Sequence, residues 1–449
     1  MSLSFPEVTL IAGLVFLMGL ECFKAVQSGS WVQVYRPTLF IAVFLSFYAL
    51  VGPLRALLAE GEVANFVGTS GTIYRDVDHR PFLVWGWLGA FLFYGFLLLG
   101  FYIQSPLLRP IRTTSRSSLD KVRFSGSWLC WLGFGSYLLV KAESFLLAAL
   151  GPVFSMESIP VLSWLSHSFF SNYLLLSANL LVPGVVLQYG VWLRQRRRLY
   201  VVIAWFLIAS SVFLIDGFRY RILLLIFPII LLWLFYAKKR PRLILLILFM
   251  VAFVGLNGAY SVARHIGKQN LQGPQYEALA RYNPLELLNS SFEEAGVFFT
   301  TAAAISKVPA EYPHVGLAPI STALQQPIPR SVYPNKPQGE YSARLRELIY
   351  GKPDSYTAYL GFAEYYLMAG WSSLVLISFV LGWGLRRLWT WFLWRQYEPL
   401  AQSIYLLNAC FLYVLISRGY FPQVVMLYCF TLLPALLVYW LVSRKVVQP

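Results

Sequence analysis

Two arginines flank a single tyrosine in Asp216-Gly217-Phe218-Arg219-Tyr220-Arg221, a short polar break between strongly apolar stretches. Guanidinium groups in such surroundings are costly unless they meet an anion or a carbonyl oxygen. Their planar donor forks match the paired oxygens of a phosphate. The same residue type recurs in comparable places. Arg264 stands beside His265, Arg330 and Lys336 lie in the proline-rich run Pro329 to Pro337, and Arg418 occupies Ser417-Arg418-Gly419. Brought together, these groups make a cationic pocket that can hold a diphosphate and stabilise it as negative charge builds. A proton acceptor for such chemistry would be a carboxylate or an imidazole, ranked Glu364, then His265, then Glu294. Plainer readings stand beside these. A lone interfacial arginine often anchors to headgroups, and a first-turn acid such as Glu364 is favoured by its own helix dipole. Both readings of Glu364 stay open.

Other chemistries find no support. His79, His167, His265 and His314 lack metal-ligand spacing, so no metal site is predicted, and Cys22, Cys130, Cys410 and Cys429 sit in apolar runs without a CxxC pair. Walker loop, GxSxG elbow and dinucleotide fingerprint are all missing. No cofactor is expected, though a divalent cation at a diphosphate would be compatible. Lys141 and Glu143 read as a neutralised structural pair. Glu21 is either a buried protonated acid or a cavity-facing one.

The elements that must position these residues are membrane helices. The chain of 449 residues is 58% hydrophobic, 17% aromatic and only 12% charged, with mean hydropathy +0.61. That excludes a water-soluble enzyme, a disordered chain and a disulfide scaffold. A span needs about 20 apolar residues. Eleven stretches qualify, near 7–27, 37–58, 82–104, 126–150, 166–193, 199–215, 222–237, 243–260, 361–385, 400–417 and 422–443. Pro183-Gly184 predicts a kink in the fifth. Alternate connections carry the dense basic clusters, among them Arg194 to Arg198 and Lys238 to Arg242, with only Asp120 and Glu398 as acids. The positive-inside rule makes that side cytoplasmic, with the N-terminus outside and the C-terminus inside. The net charge of +16 is therefore mainly a topology signal and calls for no nucleic acid.

The chain then divides into spans one to eight (1–260), a large external loop (261–360) and spans nine to eleven (361–449). Within the loop, Asn283-Pro284-Leu285-Glu286 looks like a helix start. Leu288, Phe292, Ala295, Phe299 and Ala302 continue as one apolar helical face. Two further short helices are expected over 317–326 and 342–350. No tandem or inverted repeat is visible, which weighs against a transporter.

These pieces together resemble the Wzy-type polymerases of O-antigen and exopolysaccharide repeat units, relatives of the O-antigen ligases. The resemblance rests on the GFRYR turn, the late external loop, the P-R-x-x-x-P-N-K-P segment (Pro329 to Pro337), the G-x-x-E-x-Y-x-x-x-G stretch (Gly361 to Gly370) and Arg418 between the last spans. It covers mainly residues 200–430. It implies an all-α polytopic membrane protein of GT-C-like glycosyltransferase architecture, working on the external face of a bacterial inner membrane. Such an enzyme polymerises undecaprenyl-diphosphate-linked oligosaccharides, the precursors of lipopolysaccharide or exopolysaccharide chains, alongside membrane lipid and a chain-length regulator protein. In that scheme Arg219, Arg221, Arg264, Arg330, Lys336 and Arg418 hold the diphosphates, and Tyr341, Tyr356 and Tyr365 are candidates to stack on sugars. The alternatives are a ligase-like transfer to another acceptor and a flippase of the same lipid-linked oligosaccharide.

Overall fold

Apolar runs of this length can satisfy their backbone in hydrocarbon only as helices or closed barrels, and in the computed structural model those among the described residues are helical. The structure describes residues 3–54, 79–103, 119–150, 171–215, 219–238, 296–328, 332–335, 341, 343–351 and 358–443. Sixteen α-helices and no strand occur among these residues. In chain order they are α1 (Phe5–Gln27), α2 (Pro37–Ser46), α3 (Leu83–Tyr102), α4 (Leu119–Leu150), α5 (Ser171–Ser177), α6 (Leu181–Gln195), α7 (Leu199–Ile215) and α8 (Arg219–Tyr236). There follow α9 (Val297–Lys307), α10 (Ala318–Gln325), α11 (Ala343–Tyr350), α12 (Gly361–Ala369), α13 (Trp371–Arg395), α14 (Pro399–Ser417), α15 (Phe421–Thr431) and α16 (Leu433–Ser443).

Among the described residues, six helical stretches are long and apolar enough to cross a bilayer: Phe5–Gln27, Pro37–Leu54, Arg80–Tyr102, Ser171–Gln195, Pro399–Ser417 and Phe421–Val442. Along α1, Phe5, Phe16 and Phe23 all point outward, the first 85% exposed. An outer face this apolar belongs in lipid rather than water. The protein is a helical, membrane-embedded protein.

Glycines set the closest helix crossing. A β-carbon on Gly100 of α3 would overlap the carbonyl oxygen of Phe379, and one on Gly382 of α13 would overlap that of Leu97. The two backbones therefore touch directly, as small residues permit in membrane bundles. At the other end of the same pair, Trp85 and Trp371 stack with centroids 6.3 Å apart, so α3 and α13 run in the same direction. So does α1, because Glu7 near its start accepts two bonds from Arg80 at 2.8 and 3.0 Å and Glu21 near its end accepts from Tyr102.

The bundle thus has two chemically distinct ends. The end that holds the C-termini of α1, α3, α6, α8 and α13 collects the basic connections. There the cations lie on aromatic rings: Arg194 on Tyr236 at 5.1 Å, Arg196 on Trp192 at 4.8 Å and Arg387 on Trp383 at 4.1 Å. The opposite end holds the start of α12, the end of α14 and the start of α8.

Several expectations meet the structure closely. α7 covers the predicted 199–215, and α10 and α11 lie within the predicted loop helices. The irregularity expected at Pro183 appears as a 3-10 turn over Ala178–Leu180, where the missing proline N–H removes the bond to Asn179. Glu21 is buried and accepts from Thr38 at 2.5 Å, from Tyr102 and from Arg36 at 3.5 Å, so it is the centre of a polar cluster. The eighth span (243–260) lies outside the described residues, as does the loop helix start at residue 283.

Others require correction. The ninth span, expected as one helix over 361–385, is two helices broken at Gly370, whose φ of 74° lies in the left-handed region. The break is stabilised from outside the helix. Val315 N–H donates to Leu367 O at 2.8 Å and Gly316 N–H to Met368 O at 3.1 Å, satisfying the last carbonyls of α12. The eleventh span holds as one stretch, Phe421–Val442, with only a local irregularity at Leu432, which stays right-handed and keeps its bond to Tyr428 O at 2.8 Å. Helix α9, expected to show a single apolar face, is buried on every side from Val297 to Ile305. It packs on α3 at Gly86 and Gly89, where β-carbons would meet Phe298, Ala302 and Ile305 at 2.8 to 2.9 Å.

The α3–α13 crossing generates a test. Gly382→Leu inserts bulk where only backbone stands opposite and should lower stability by roughly 1–3 kcal/mol or more. Gly384→Leu, which faces open space, should leave the melting temperature in detergent unchanged. Equal melting of the two variants would contradict the assigned crossing.

Candidate functional site

The segment entering α12 and the turn between α14 and α15 press backbone against backbone. Gly419 N–H donates to Tyr359 O at 2.8 Å. A β-carbon on Gly361 would overlap the Leu415 carbonyl oxygen, and one on Gly419 would overlap the Tyr359 ring. Both glycines are required by this approach. On its other side the entering segment is held by Thr301 of α9, whose Oγ1 accepts from Leu360 N–H at 2.8 Å.

Glu364 is one helical turn further on and is 2% exposed. Its Oε2 accepts from Phe421 N–H, the first amide of α15, at 2.7 Å. The carboxylate therefore lies at the positive end of a helix other than its own, where a negative charge is stabilised. Glu364 also stands in the first turn of its own helix, as read from sequence, and the second helix end it serves belongs to the turn that carries Arg418.

Arg418 follows the last residue of α14 in an extended conformation, φ −126° and ψ 107°, which swings its half-buried side chain away from the helix axis. Its guanidinium carbon lies 5.5 Å from the centroid of Tyr220. Arg221, 5% exposed, places its own guanidinium carbon 5.8 Å from the same ring. Both separations suit cation–π attraction. One tyrosine thus gathers two cations from distant parts of the chain, beside the carboxylate that holds Phe421. A further aromatic pair flanks the turn: Tyr341 and Tyr420 have centroids 5.4 Å apart. Tyr341 is positioned by its backbone carbonyl, which accepts from Tyr312 Oη at 3.1 Å. The hydroxyls of Tyr341 and Ser417 are buried and meet no hydrogen-bond partner among the described residues. They are donors and acceptors of the kind that sugar hydroxyls engage.

Of the residues singled out from sequence, the structure brings Arg221 and Arg418 to one ring, and ties Glu364 to the turn that carries Arg418. Arg219 is the first residue of α8, two before Arg221, and its side chain lies outside the described residues. Arg264, His265, Glu294, Arg330, Lys336 and Tyr356 also lie outside them. Tyr365 is buried beside Phe93, centroids 6.3 Å apart, and faces the helix core. Sequence reasoning missed Tyr220, Tyr420 and Ser417. A signal for the tyrosines was present, because each adjoins or nearly adjoins a cationic residue, in Arg219-Tyr220-Arg221 and Arg418-Gly419-Tyr420. Among the described residues no group of three His, Cys, Asp or Glu side chains could hold a metal ion.

The link between Glu364 and Phe421 is testable as a structural element. Glu364→Ala leaves a buried N–H without its acceptor and should cost about 1–3 kcal/mol of stability. Glu364→Gln keeps a carbonyl acceptor and should cost less than half of that. Thermal unfolding of purified protein distinguishes them, and indistinguishable melting would contradict the assignment. Compared with known proteins, the chain matches no family model, no curated protein and no solved structure.

Proposed function

We propose that the protein is a membrane glycosyltransferase that polymerises lipid-linked oligosaccharide repeat units. It would move a growing glycan from undecaprenyl diphosphate onto the non-reducing end of the next lipid-linked unit. The observation that carries the reading is the meeting of Arg221 and Arg418 at the Tyr220 ring, at 5.8 and 5.5 Å. The resemblance of the surrounding motifs to repeat-unit polymerases adds the substrate class. By the positive-inside rule this end of the bundle faces outward from the bacterial cytoplasmic membrane, at the depth where a lipid-linked diphosphate presents its phosphates.

In the reaction an acceptor hydroxyl oxygen attacks the anomeric carbon of the donor glycan. The bond from that carbon to the diphosphate oxygen breaks, and its electron pair leaves with the diphosphate. Arg221 and Arg418 neutralise the charge that develops, joined by Arg219, Arg264, Arg330 and Lys336 from the turn and loop. The hydroxyl proton passes to a base, for which Glu364 ranks ahead of His265 and Glu294. The Oε2 of Glu364 is tied to Phe421, so the proton would be taken by Oε1. Tyr341 and Ser417 supply hydroxyls to the sugars. The chemistry needs no cofactor, since the activated lipid provides the leaving group.

The test is elongation by purified protein in liposomes supplied with a single lipid-linked repeat unit. The wild-type protein should yield a ladder spaced by one repeat. A product confined to a different acceptor would place the chain with the ligases instead. Arg221→Ala and Arg418→Ala should each lower elongation at least about 100-fold with folded protein retained, and Arg418→Lys should fail to restore it fully because lysine lacks the fork. Glu364→Gln should lower elongation by about 100-fold or more. Activity within a few-fold of wild type would remove the base role from Glu364, and ladders from both alanine variants would remove the site.

A further inference from the structure

At the opposite end of the bundle, two cations meet a single exposed ring and a third lies over its neighbour. Lys24 Nζ stands 4.2 Å from the centroid of Tyr102. Arg36 Nη1 donates to the Tyr102 hydroxyl at 3.1 Å. Arg386 lies over the ring of the adjacent residue, Phe101, at 5.4 Å. The one carboxylate here, Glu21, is buried behind the ring and takes its ion pair from Arg36. Among the described residues Lys24 and Arg386 pair with no carboxylate. The layer therefore keeps two unneutralised positive charges.

The geometry is prearranged. Arg36 is pinned by Gln33 Oε1 at 2.5 Å as well as by Glu21 and Tyr102. Tyr102 remains 39% exposed, so an anion can reach the three cations from outside. What borders them is apolar. Phe23 at 62% and Leu99 at 57% exposure run from this layer toward the bundle middle on the outer faces of α1 and α3. A cationic layer above an apolar strip fits an amphiphile, with its phosphate among the cations and its chains along the strip. Free phosphate would use only half of the surface.

We infer that Lys24, Arg36, Arg386 and Tyr102 form a binding site for the phosphate of an anionic phospholipid. It is separate from the Arg221–Arg418 site. Gly89 of α3 meets Phe362 of α12, near Glu364, whereas Tyr102 lies thirteen residues further along the same helix, roughly 20 Å at 1.5 Å per residue.

Native mass spectrometry of the full chain, released from detergent with phosphatidylglycerol or phosphatidylcholine of matched chains, tests this. Wild-type protein should retain phosphatidylglycerol preferentially. The double variant Lys24→Gln/Arg386→Gln should weaken that binding roughly 10- to 30-fold, at about a factor of five per cation. Lys24→Arg should retain it, and inorganic phosphate at millimolar concentration should not displace it. Equal retention of the two lipids, or undiminished retention by the double variant, would overturn the site. Displacement by inorganic phosphate would assign it to free anion instead of lipid.

Discussion

The backbone seam between residues 359–361 and 415–419 is the constraint on which the candidate site depends. Neither glycine of the seam admits a side chain, because carbonyl oxygens or the Tyr359 ring occupy the space. With the seam closed, Gly419 N–H reaches Tyr359 O and Phe421 N–H reaches Glu364. The turn between α14 and α15 is then held at both edges. A turn so held gives Arg418 one direction in which to project, toward Tyr220. Preorganisation of this kind lets a charged group act without reorganising when substrate charge develops. The cost of holding two guanidinium groups near each other is offset in part by the aromatic face between them and by the nearby carboxylate.

Arginines serve two different purposes at the two ends of the bundle. At the basic end arginines lie over aromatic rings near helix termini, some on their own helix, as Arg387 over Trp383 and Arg395 over Trp391, and some on a neighbour, as Arg194 over Tyr236. That arrangement covers apolar surface with the side-chain stem and leaves the head at the water boundary. At the other end Arg418 crosses from the turn after α14 to a ring of α8 that Arg221, of that same helix, also approaches. The Tyr102 cluster at the basic end is also built from separate elements, with α1, the start of α2, α3 and α13 each supplying a residue.

Much of the helical framework was legible in the sequence because span length and loop charge are set by the bilayer rather than by tertiary detail. Helix α7 begins where its apolar run begins, at Leu199. The break at Gly370 was not legible in the same way. It is stabilised by amides of Val315 and Gly316, some fifty residues earlier in the chain, and no local pattern reports such a partner. The full burial of α9 was likewise hidden, since the apolar spacing through Phe299 and Ala302 marks only one face. Thr301 is buried because it bonds Val297 O and Leu360 N–H. For the site, charge out of place pointed to Arg221 and Arg418, whereas the ring that unites them, Tyr220, is an ordinary interfacial residue until its neighbours are known.

The central claim is that Arg221 and Arg418 act on one diphosphate. A double-mutant cycle measures this directly: the affinity for undecaprenyl diphosphate of the wild-type protein, of Arg221→Ala, of Arg418→Ala and of the double variant, all in the same nanodiscs. A shared ligand predicts a coupling energy of at least about 1 kcal/mol, with the second substitution costing much less than the first. Strict additivity, or binding unaffected by either substitution, would show that the two guanidinium groups serve separate purposes and would contradict the account.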